Sequence, residues 1–134
     1  MSTITCAIVE DELVSLSMIE GLIERSKLLN IKGSFSSSTK AIEWLTVNRV
    51  DLLFLDVEMP DVSGLDLLKV IPYRPAVIIV TGNPAYAVDA FDVAVTDFLL
   101  KPVTDYNRFL SAVTKVLAGR TQVDQKMEKE YLFI

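Results

Sequence analysis

The segment Leu52-Leu53-Phe54-Leu55-Asp56 places four consecutive apolar residues directly before a carboxylate. A short continuous run of this kind predicts a strand that is buried on both faces of a sheet. A comparable run precedes it at residues 4–9, a weaker strand pattern lies at residues 31–35, and two further runs follow at residues 76–80 and 98–100. The chain is therefore predicted to form five strands, most of them with both faces covered.

Between the predicted strands, apolar residues recur at the spacing of an amphipathic helix. After the first strand they include Leu13, Leu16 and Ile19. Four later helices have start signals, at residues 36–39, Ser63 with Asp66, Asn83-Pro84, and Thr104 or Asp105. Gly119 is the stop signal predicted for the last of them. This alternation predicts an α/β fold, a (βα)5 doubly wound sandwich around a parallel five-stranded sheet. We expect the flavodoxin-like strand order 2-1-3-4-5.

The composition restricts the possible functions. The chain has 134 residues, which suits one domain, and its net charge of −5 without a basic stripe disfavours DNA binding by this segment. With no histidine and one cysteine, zinc sites, Ser-His-Asp catalysis and an internal disulfide are disfavoured. We find neither a signal-peptide pattern nor an apolar segment near the ~20 residues of a membrane helix, so a cytoplasmic protein is expected.

Four of the predicted strands end at a charged or hydroxyl side chain. Glu10-Asp11-Glu12 follows strand one and Asp56 follows strand three, while Thr81 and Lys101 follow strands four and five. In an open parallel sheet, ligands bind beyond the carboxyl ends of the strands, and strands one and three are neighbours in the expected order. Their acids should converge and repel one another unless a cation lies between them. Oxygen ligands favour Mg²⁺, which commonly completes its coordination with phosphate.

A carboxylate beside Mg²⁺ can act as a nucleophile that forms an acyl phosphate, and Asp56 is the candidate. Lys101 can pair with phosphate oxygens, and Thr81 can donate a hydroxyl hydrogen bond to another of them. Taken alone, each polar residue also fits a structural role as a helix-dipole partner, a strand-end residue or a solvated loop charge. Their coincidence at one edge of the sheet favours the functional interpretation.

Together these residues resemble the receiver domain of response regulators in two-component signalling. The matching segments are Val9-Glu10-Asp11-Glu12, Asp56-Val57-Glu58-Met59-Pro60, Gly64, Thr81 and Lys101-Pro102. The resemblance covers roughly residues 4–118, and the motifs are specific as a set although no single one is. Three positions depart from the common pattern: Glu10 replaces aspartate, Phe98 stands where tyrosine is common, and Gly82 stands where alanine is frequent.

The resemblance implies that Asp56 is the phosphoacceptor, which takes a phosphoryl group from the phosphohistidine of a sensor histidine kinase. It also implies that Asp11, Glu10, Asp56 and the backbone carbonyl of Glu58 bind Mg²⁺. Such a domain is a switch that catalyses its own phosphoryl transfer and slow dephosphorylation, not an enzyme in the metabolic sense.

Further roles follow from the same resemblance. Lys101 would contact the phosphoryl group and precede a cis peptide at Pro102. Thr81 and Phe98 would move together after transfer and act as the switch. Glu58 and Asn83 occupy positions that tune how fast the phosphate hydrolyses.

The end of the chain changes in composition. Residues 1–119 are predicted to form the receiver domain, and residues 120–130 a polar linker, before Tyr131-Leu132-Phe133-Ile134 begins a strand-like pattern. This ending, with the short stretch between Thr81 and Lys101, resembles regulators of the LytTR type, in which a β-rich DNA-binding domain follows the receiver. DNA would then be bound only through a C-terminal domain absent from this chain. The alternative is an edge strand or a frayed chain end.

The resemblance also allows a homodimer through a face built from the fourth helix, the fifth strand and the fifth helix. Three other functions share parts of this pattern. A Mg²⁺-dependent aspartate-nucleophile phosphatase would carry its motif after the first strand and would need a cap. A flavin-binding protein would need a hydroxyl-rich phosphate loop after the first strand, where this chain has acids. A degenerate receiver used only for binding is disfavoured by the complete set of Asp11, Asp56, Thr81 and Lys101.

Overall fold

The five apolar runs form the strands of one sheet, in a computed structural model that describes residues 4–87 and 94–132, with side chains described up to residue 119. All neighbouring strands are parallel, and their order is 2-1-3-4-5, which confirms the predicted topology. The bounds are β1 Ile4–Val9, β2 Leu29–Phe35, β3 Leu52–Leu55, β4 Ala76–Thr81 and β5 Asp97–Leu100.

Helices follow β1, β2, β3 and β5, and the last three of these begin at the predicted signals. They are α1 Leu13–Ser26, α2 Ser38–Val47, α3 Gly64–Val70 and a C-terminal helix, Tyr106–Leu132. The side chain of Ser37 accepts a hydrogen bond from the backbone N–H of Lys40 and caps α2, while that of Ser63 accepts from Asp66 and caps α3. Of the two candidates for the last cap, Asp105 is the residue whose carboxylate accepts a hydrogen bond from the backbone, at the N–H of Arg108.

The core has two layers because successive residues of a strand point to opposite faces of the sheet. On one face, Cys6 and Ile8 of β1 belong to a buried cluster with α1 and the C-terminal helix. On the other face, Ala7 and Val9 belong to a buried cluster with α2 and α3. Phe54 of β3 stacks on Phe109 of the C-terminal helix, with ring centroids 5.7 Å apart. This packing holds the carboxyl ends of β1 and β3 side by side.

The prediction that the last helix ends at Gly119 is wrong, because the C-terminal helix continues to Leu132. A glycine inside a helix costs about 1 kcal/mol relative to alanine but does not stop the helix by itself. The residues that follow are rich in good helix formers such as Gln, Lys, Glu and Met. The predicted linker is therefore helical, Tyr131-Leu132 does not start a strand, and residues 133–134 lie outside the described residues.

A fourth helix is predicted after Asn83, and its first residues are in place. The side-chain oxygen of Asn83 accepts a hydrogen bond of 3.0 Å from the backbone N–H of Ala85, and Tyr86 and Ala87 are helical. The remainder falls on residues 88–93, outside the described residues, and so does that part of the predicted dimer face. In the part of the chain that is described, no helix combines the length and apolar character needed to cross a bilayer.

Candidate functional site

Four strand ends bring the predicted polar residues to one edge of the sheet. Val9 pairs with Leu55 across β1 and β3, so Glu10 and Asp56 follow residues that are themselves neighbours. The backbone N–H of Asp56 donates a hydrogen bond of 3.0 Å to the carbonyl of Val9. On the other side, the backbone N–H of Lys101 donates to the carbonyl of Thr81 at 2.9 Å. The main chain itself thus positions these side chains.

Lys101 is the centre of the charged cluster. Its ammonium nitrogen lies 2.9 Å from Oδ2 of Asp56, 2.7 Å from Oε1 of Glu10 and 2.7 Å from Oε1 of Glu12. The contacts to Asp56 and Glu10 join residues that the sequence analysis had assigned to the site. The contact to Glu12 was not predicted: Glu12 belongs to the segment that matches the receiver pattern, but no role at the site was assigned to it. Its place in the acidic run after β1 was the available signal.

Burial sets the electrostatics of this cluster. Glu10 is 1% exposed and Asp56 is 3% exposed. Burial raises the pKa of Glu10 above its usual range, while the neighbouring ammonium of Lys101 works in the opposite direction. For Lys101, burial favours the neutral amine, but hydrogen bonds to Glu10, Glu12 and Asp56 outweigh burial and raise its pKa. Lys101 is therefore a permanent cation held between carboxylates.

The donor set fits a hard divalent cation. Glu10, Asp11 and Asp56 each offer a carboxylate oxygen, and these oxygens all lie within 4.8 Å of one another. Oε1 of Glu10 is buried and lies 2.7 Å from the ammonium nitrogen of Lys101. A set of three carboxylates, which offers oxygen ligands alone, suits Mg²⁺ better than metals that prefer nitrogen or sulfur.

The loop between β3 and α3 is held tightly around Asp56. Oδ1 of Asp56 accepts a hydrogen bond of 2.9 Å from the backbone N–H of Glu58, whose own side chain is exposed. Further along, the backbone N–H of Gly64 donates to the carbonyl of Val57 at 3.2 Å. The loop therefore folds back onto the end of β3, which orients one carboxylate oxygen of Asp56 and leaves the other facing Lys101.

Asp61 ties the same loop to the start of α2. Its carboxylate accepts hydrogen bonds from the hydroxyls of Ser37, at 3.0 Å, and Thr39, at 2.8 Å, and from the backbone N–H of Thr39 at 2.9 Å. The hydroxyl of Ser38 bonds both to Asp61 and to the carbonyl of Val62. Hydrogen bonds from Ser38 and Thr39 hold the pKa of Asp61 well below its usual range. The serine-rich stretch at residues 36–39 predicts only a helix start, and no sequence pattern pointed to Asp61 as its partner.

The predicted switch residues lie on β4 and β5. Thr81 is fully buried, and its hydroxyl oxygen accepts a hydrogen bond of 3.3 Å from the backbone N–H of Asn83. Phe98 is half-buried and packs against the cluster that lies under α2 and α3. The Lys101-Pro102 peptide is cis, as the resemblance implies. Asn83 is exposed, and its side chain caps the turn that follows β4.

A second charged network joins β5 to the C-terminal helix. The guanidinium of Arg108 donates to both carboxylate oxygens of Asp97, at 2.9 and 2.8 Å, and to the carbonyl of Phe98 at 2.9 Å. Lys115 donates to Asp97 at 2.9 Å. Burial raises the pKa of Asp97, but hydrogen bonds to Arg108 and Lys115 outweigh burial and leave it well below its usual range. No sequence pattern had linked these residues.

Comparison with known proteins places the chain in a family. The family described as "Response regulator receiver domain" matches residues 6–114. The chain is 34% identical to the transcriptional regulatory protein NatR of Bacillus subtilis (strain 168) over 135 residues, which cover 93% of the chain and 58% of NatR. It is 31% identical to the sensory transduction protein LytT of Bacillus anthracis over 90% of the chain and 50% of LytT. The chain thus spans about half the length of these curated relatives.

Solved structures agree with this placement. The response regulatory domain of protein mrkE from Klebsiella pneumoniae superposes with a TM-score of 0.80 at 29% identity, over 88% of the chain and 98% of that domain. The REC domain of AraT, a response regulator from Geobacillus stearothermophilus, superposes with a TM-score of 0.75 at 29% identity, over 94% of the chain and 99% of that domain. The chain belongs to the family of response regulator receiver domains.

Proposed function

We propose that this receiver domain is a phosphorylation switch in which Asp56 accepts a phosphoryl group from the phosphohistidine of a sensor histidine kinase. The observation that carries the proposal is the position of Asp56, 2.9 Å from the ammonium of Lys101 and within a cluster of carboxylate oxygens that lie within 4.8 Å of one another. Positioning and charge neutralisation are the main requirements of phosphoryl transfer.

In the proposed transfer, a carboxylate oxygen of Asp56 forms a bond to phosphorus while the bond between phosphorus and the histidine nitrogen of the donor breaks. The hydrogen bond from Glu58 N–H to Oδ1 orients the carboxylate for this attack. Lys101 neutralises charge on the phosphoryl oxygens. Glu10, Asp11 and Asp56, with the carbonyl of Glu58, would hold Mg²⁺, which supplies further charge neutralisation when bound.

Phosphorylation would replace the single negative charge of the Asp56 carboxylate with the roughly −1.5 to −2 charge of a phosphoryl group. Thr81 is the hydroxyl that would turn toward the new phosphoryl oxygens, and Phe98 on the adjacent strand would follow it. The face that would change is built from the fourth helix, β5 and the C-terminal helix, through which two receivers could pair. Glu58 and Asn83 are exposed beside the site, where their side chains would govern access of the hydrolytic water.

The whole protein is proposed to be longer than this chain and to regulate transcription. The support is that the relatives include proteins named transcriptional regulatory protein NatR and sensory transduction protein LytT, of which the chain covers about half. An output domain of the LytTR type would then bind DNA, while the acidic chain described here, with a net charge of −5, would not.

Labelling with a small phosphodonor tests the acceptor directly. With acetyl phosphate and Mg²⁺, we expect the parent chain to gain one phosphoryl group by intact mass and Asp56→Asn to gain none. Asp66→Asn is the matched control, since it removes an exposed carboxylate on α3 outside the cluster and should label like the parent. Equal labelling of Asp56→Asn and the parent would contradict the proposal, and absence of labelling in all three would favour a receiver used only for binding.

A further inference from the structure

Glu12 differs from the other two carboxylates that contact Lys101. The side chain of Glu12 is 65% exposed, whereas those of Glu10 and Asp56 are 1% and 3% exposed. The carboxylates that are placed to bind a metal ion are those of Glu10, Asp11 and Asp56, and this set does not include Glu12. Glu12 thus contacts the catalytic cation of the proposed reaction without belonging to the set of oxygens that would hold Mg²⁺.

Glu12 also occupies a position at which a side chain ordinarily caps a helix. It is the N-cap residue of α1, where Ser, Thr, Asn and Asp are preferred because their short side chains reach the free N–H groups of the first turn. The side chain of Glu12 makes no capping hydrogen bond. Its carboxylate instead reaches the ammonium of Lys101, 89 residues along the chain, at 2.7 Å.

An ammonium group has three N–H donors, and Lys101 faces three carboxylates. A phosphoryl oxygen that pairs with Lys101 must therefore take the place of one of them. Glu10 and Asp56 are buried, so neither can leave Lys101 by turning into water. Release of Glu12 places the carboxylate in water at little cost.

We propose that Glu12 is a placeholder on Lys101: its carboxylate occupies the position that a phosphoryl oxygen takes and must leave for the phosphoryl group to bind. This inference rests on the proposed function of Asp56. A cavity of about 310 Å³, lined by Glu12, Val14, Met18 and Lys101 among others, lies beside the contact and gives the released side chain room to move. Glu12 is thus a positioning residue that holds Lys101 in place before phosphorylation and limits the affinity for the phosphoryl group.

Two substitutions separate the contact from the charge. Glu12→Gln removes the charge. Glu12→Asp keeps the charge but shortens the side chain by one methylene, and aspartate at an N-cap pairs with the N–H groups of the helix instead. Glu20→Gln is the control, because it removes one negative charge from α1 at a residue that forms no ion pair with Lys101.

The probe is beryllofluoride with Mg²⁺, a mimic of the bound phosphoryl group, with affinity measured by isothermal titration calorimetry on the whole chain. We expect Glu12→Asp and Glu12→Gln each to bind about two- to fivefold more tightly than the parent, which is the range for loss of one exposed ion pair. Glu20→Gln should bind like the parent.

Other results overturn the placeholder role. If Glu12→Asp binds like the parent while Glu12→Gln binds more tightly, general charge and not the contact is responsible. Weaker binding in both Glu12 variants would mean that Glu12 assists the phosphoryl group. Asp56→Asn separates failure of the proposed function from failure of the placeholder role. If Asp56→Asn binds beryllofluoride as well as the parent does, the proposed function fails. If Asp56→Asn loses binding while both Glu12 variants keep the affinity of the parent, only the placeholder role is refuted.

Discussion

Gly64 lies so close to Asp56 that a Cβ atom built on Gly64 would be 2.5 Å from the backbone oxygen of Asp56. The same Cβ would be 2.9 Å from the α-carbon of Val57. Both neighbours are backbone atoms of the segment that carries the candidate phosphoacceptor, so a side chain at position 64 would displace the site itself.

We therefore expect Gly64→Ala to lower the free energy of unfolding by about 1–3 kcal/mol, the usual cost of overpacking. Chemical denaturation with urea measures this. Gly21→Ala provides the contrast, because nothing lies within 4 Å of a Cβ at position 21 of α1. Alanine there should raise stability by about 0.5–1 kcal/mol through its higher helix propensity. Equal effects at the two positions would contradict the close packing at Gly64.

Asp61 should stabilise the loop that carries the site. We expect Asp61→Asn to lower the midpoint of urea unfolding at pH 7, because the carboxylate bonds to Ser37, Ser38 and Thr39 at the start of α2. Asp66→Asn, an exposed carboxylate that pairs with Lys69 at 3.7 Å, should change the midpoint far less. If Asp66→Asn lowers the urea midpoint as much as Asp61→Asn does, the hydrogen bonds of Asp61 do not stabilise the loop in the way expected here.

The contribution of Asp61 should depend on pH in one direction. Its pKa is lowered in the folded protein by hydrogen bonds from Ser38 and Thr39. A carboxylate whose pKa is lower in the folded than in the unfolded protein stabilises the fold at any pH above its unfolded pKa, which is about 3.9 for aspartate. This stabilisation is lost as the pH falls from the unfolded pKa toward the folded pKa. The difference in urea midpoint between the parent and Asp61→Asn should thus be constant between pH 5 and 7 and shrink below about pH 4. A difference that grows on acidification would refute the assignment.

Arg108 should be a larger contributor than Lys115 to the attachment of the C-terminal helix. Arg108→Lys keeps the charge but loses the two-pronged contact to Asp97 and the bond to Phe98, so we expect a loss of about 1 kcal/mol. Lys115→Ala removes one ion pair of a lysine that is 54% exposed, and a few tenths of a kcal/mol is expected. Thermal or urea unfolding of the two variants in parallel decides this, and a greater loss in Lys115→Ala would reverse the assignment.

Mg²⁺ should stabilise the parent chain by relieving repulsion among the carboxylates. At a concentration tenfold above the dissociation constant, linkage predicts about 1.4 kcal/mol of added stability. Asp56→Asn removes one of the negatively charged ligands from the cluster. The midpoint of thermal unfolding of this variant should therefore rise less than that of the parent when MgCl₂ is added at constant ionic strength. The comparison variant Asp66→Asn should respond like the parent, and an undiminished response in Asp56→Asn would place the metal elsewhere.

Much of the fold was predictable because it depends on local patterns. The buried run before Asp56, the helical spacing after β1 and the caps at Ser37 and Ser63 are properties of neighbouring residues, and they predicted the five strands and their connections. The helix end at Gly119 was mispredicted, since a single glycine is a weak stop signal when good helix formers follow it. The candidate site was predictable to the extent that strand ends meet at one edge of a parallel sheet.

The amino-acid sequence by itself determined which residues lie at that edge: carboxylates after β1 and β3, a threonine at the end of β4 and a lysine after β5. The tertiary structure alone decided which of them touch. Lys101 meets Glu12 across 89 residues of sequence, and Ser38 meets Asp61 across 23. Contacts of this kind depend on strand register and on the course of loops, which bring side chains within about 3 Å. Hydrophobic periodicity specifies a face or an edge but not a distance, and for that reason these pairs could not be read from the sequence.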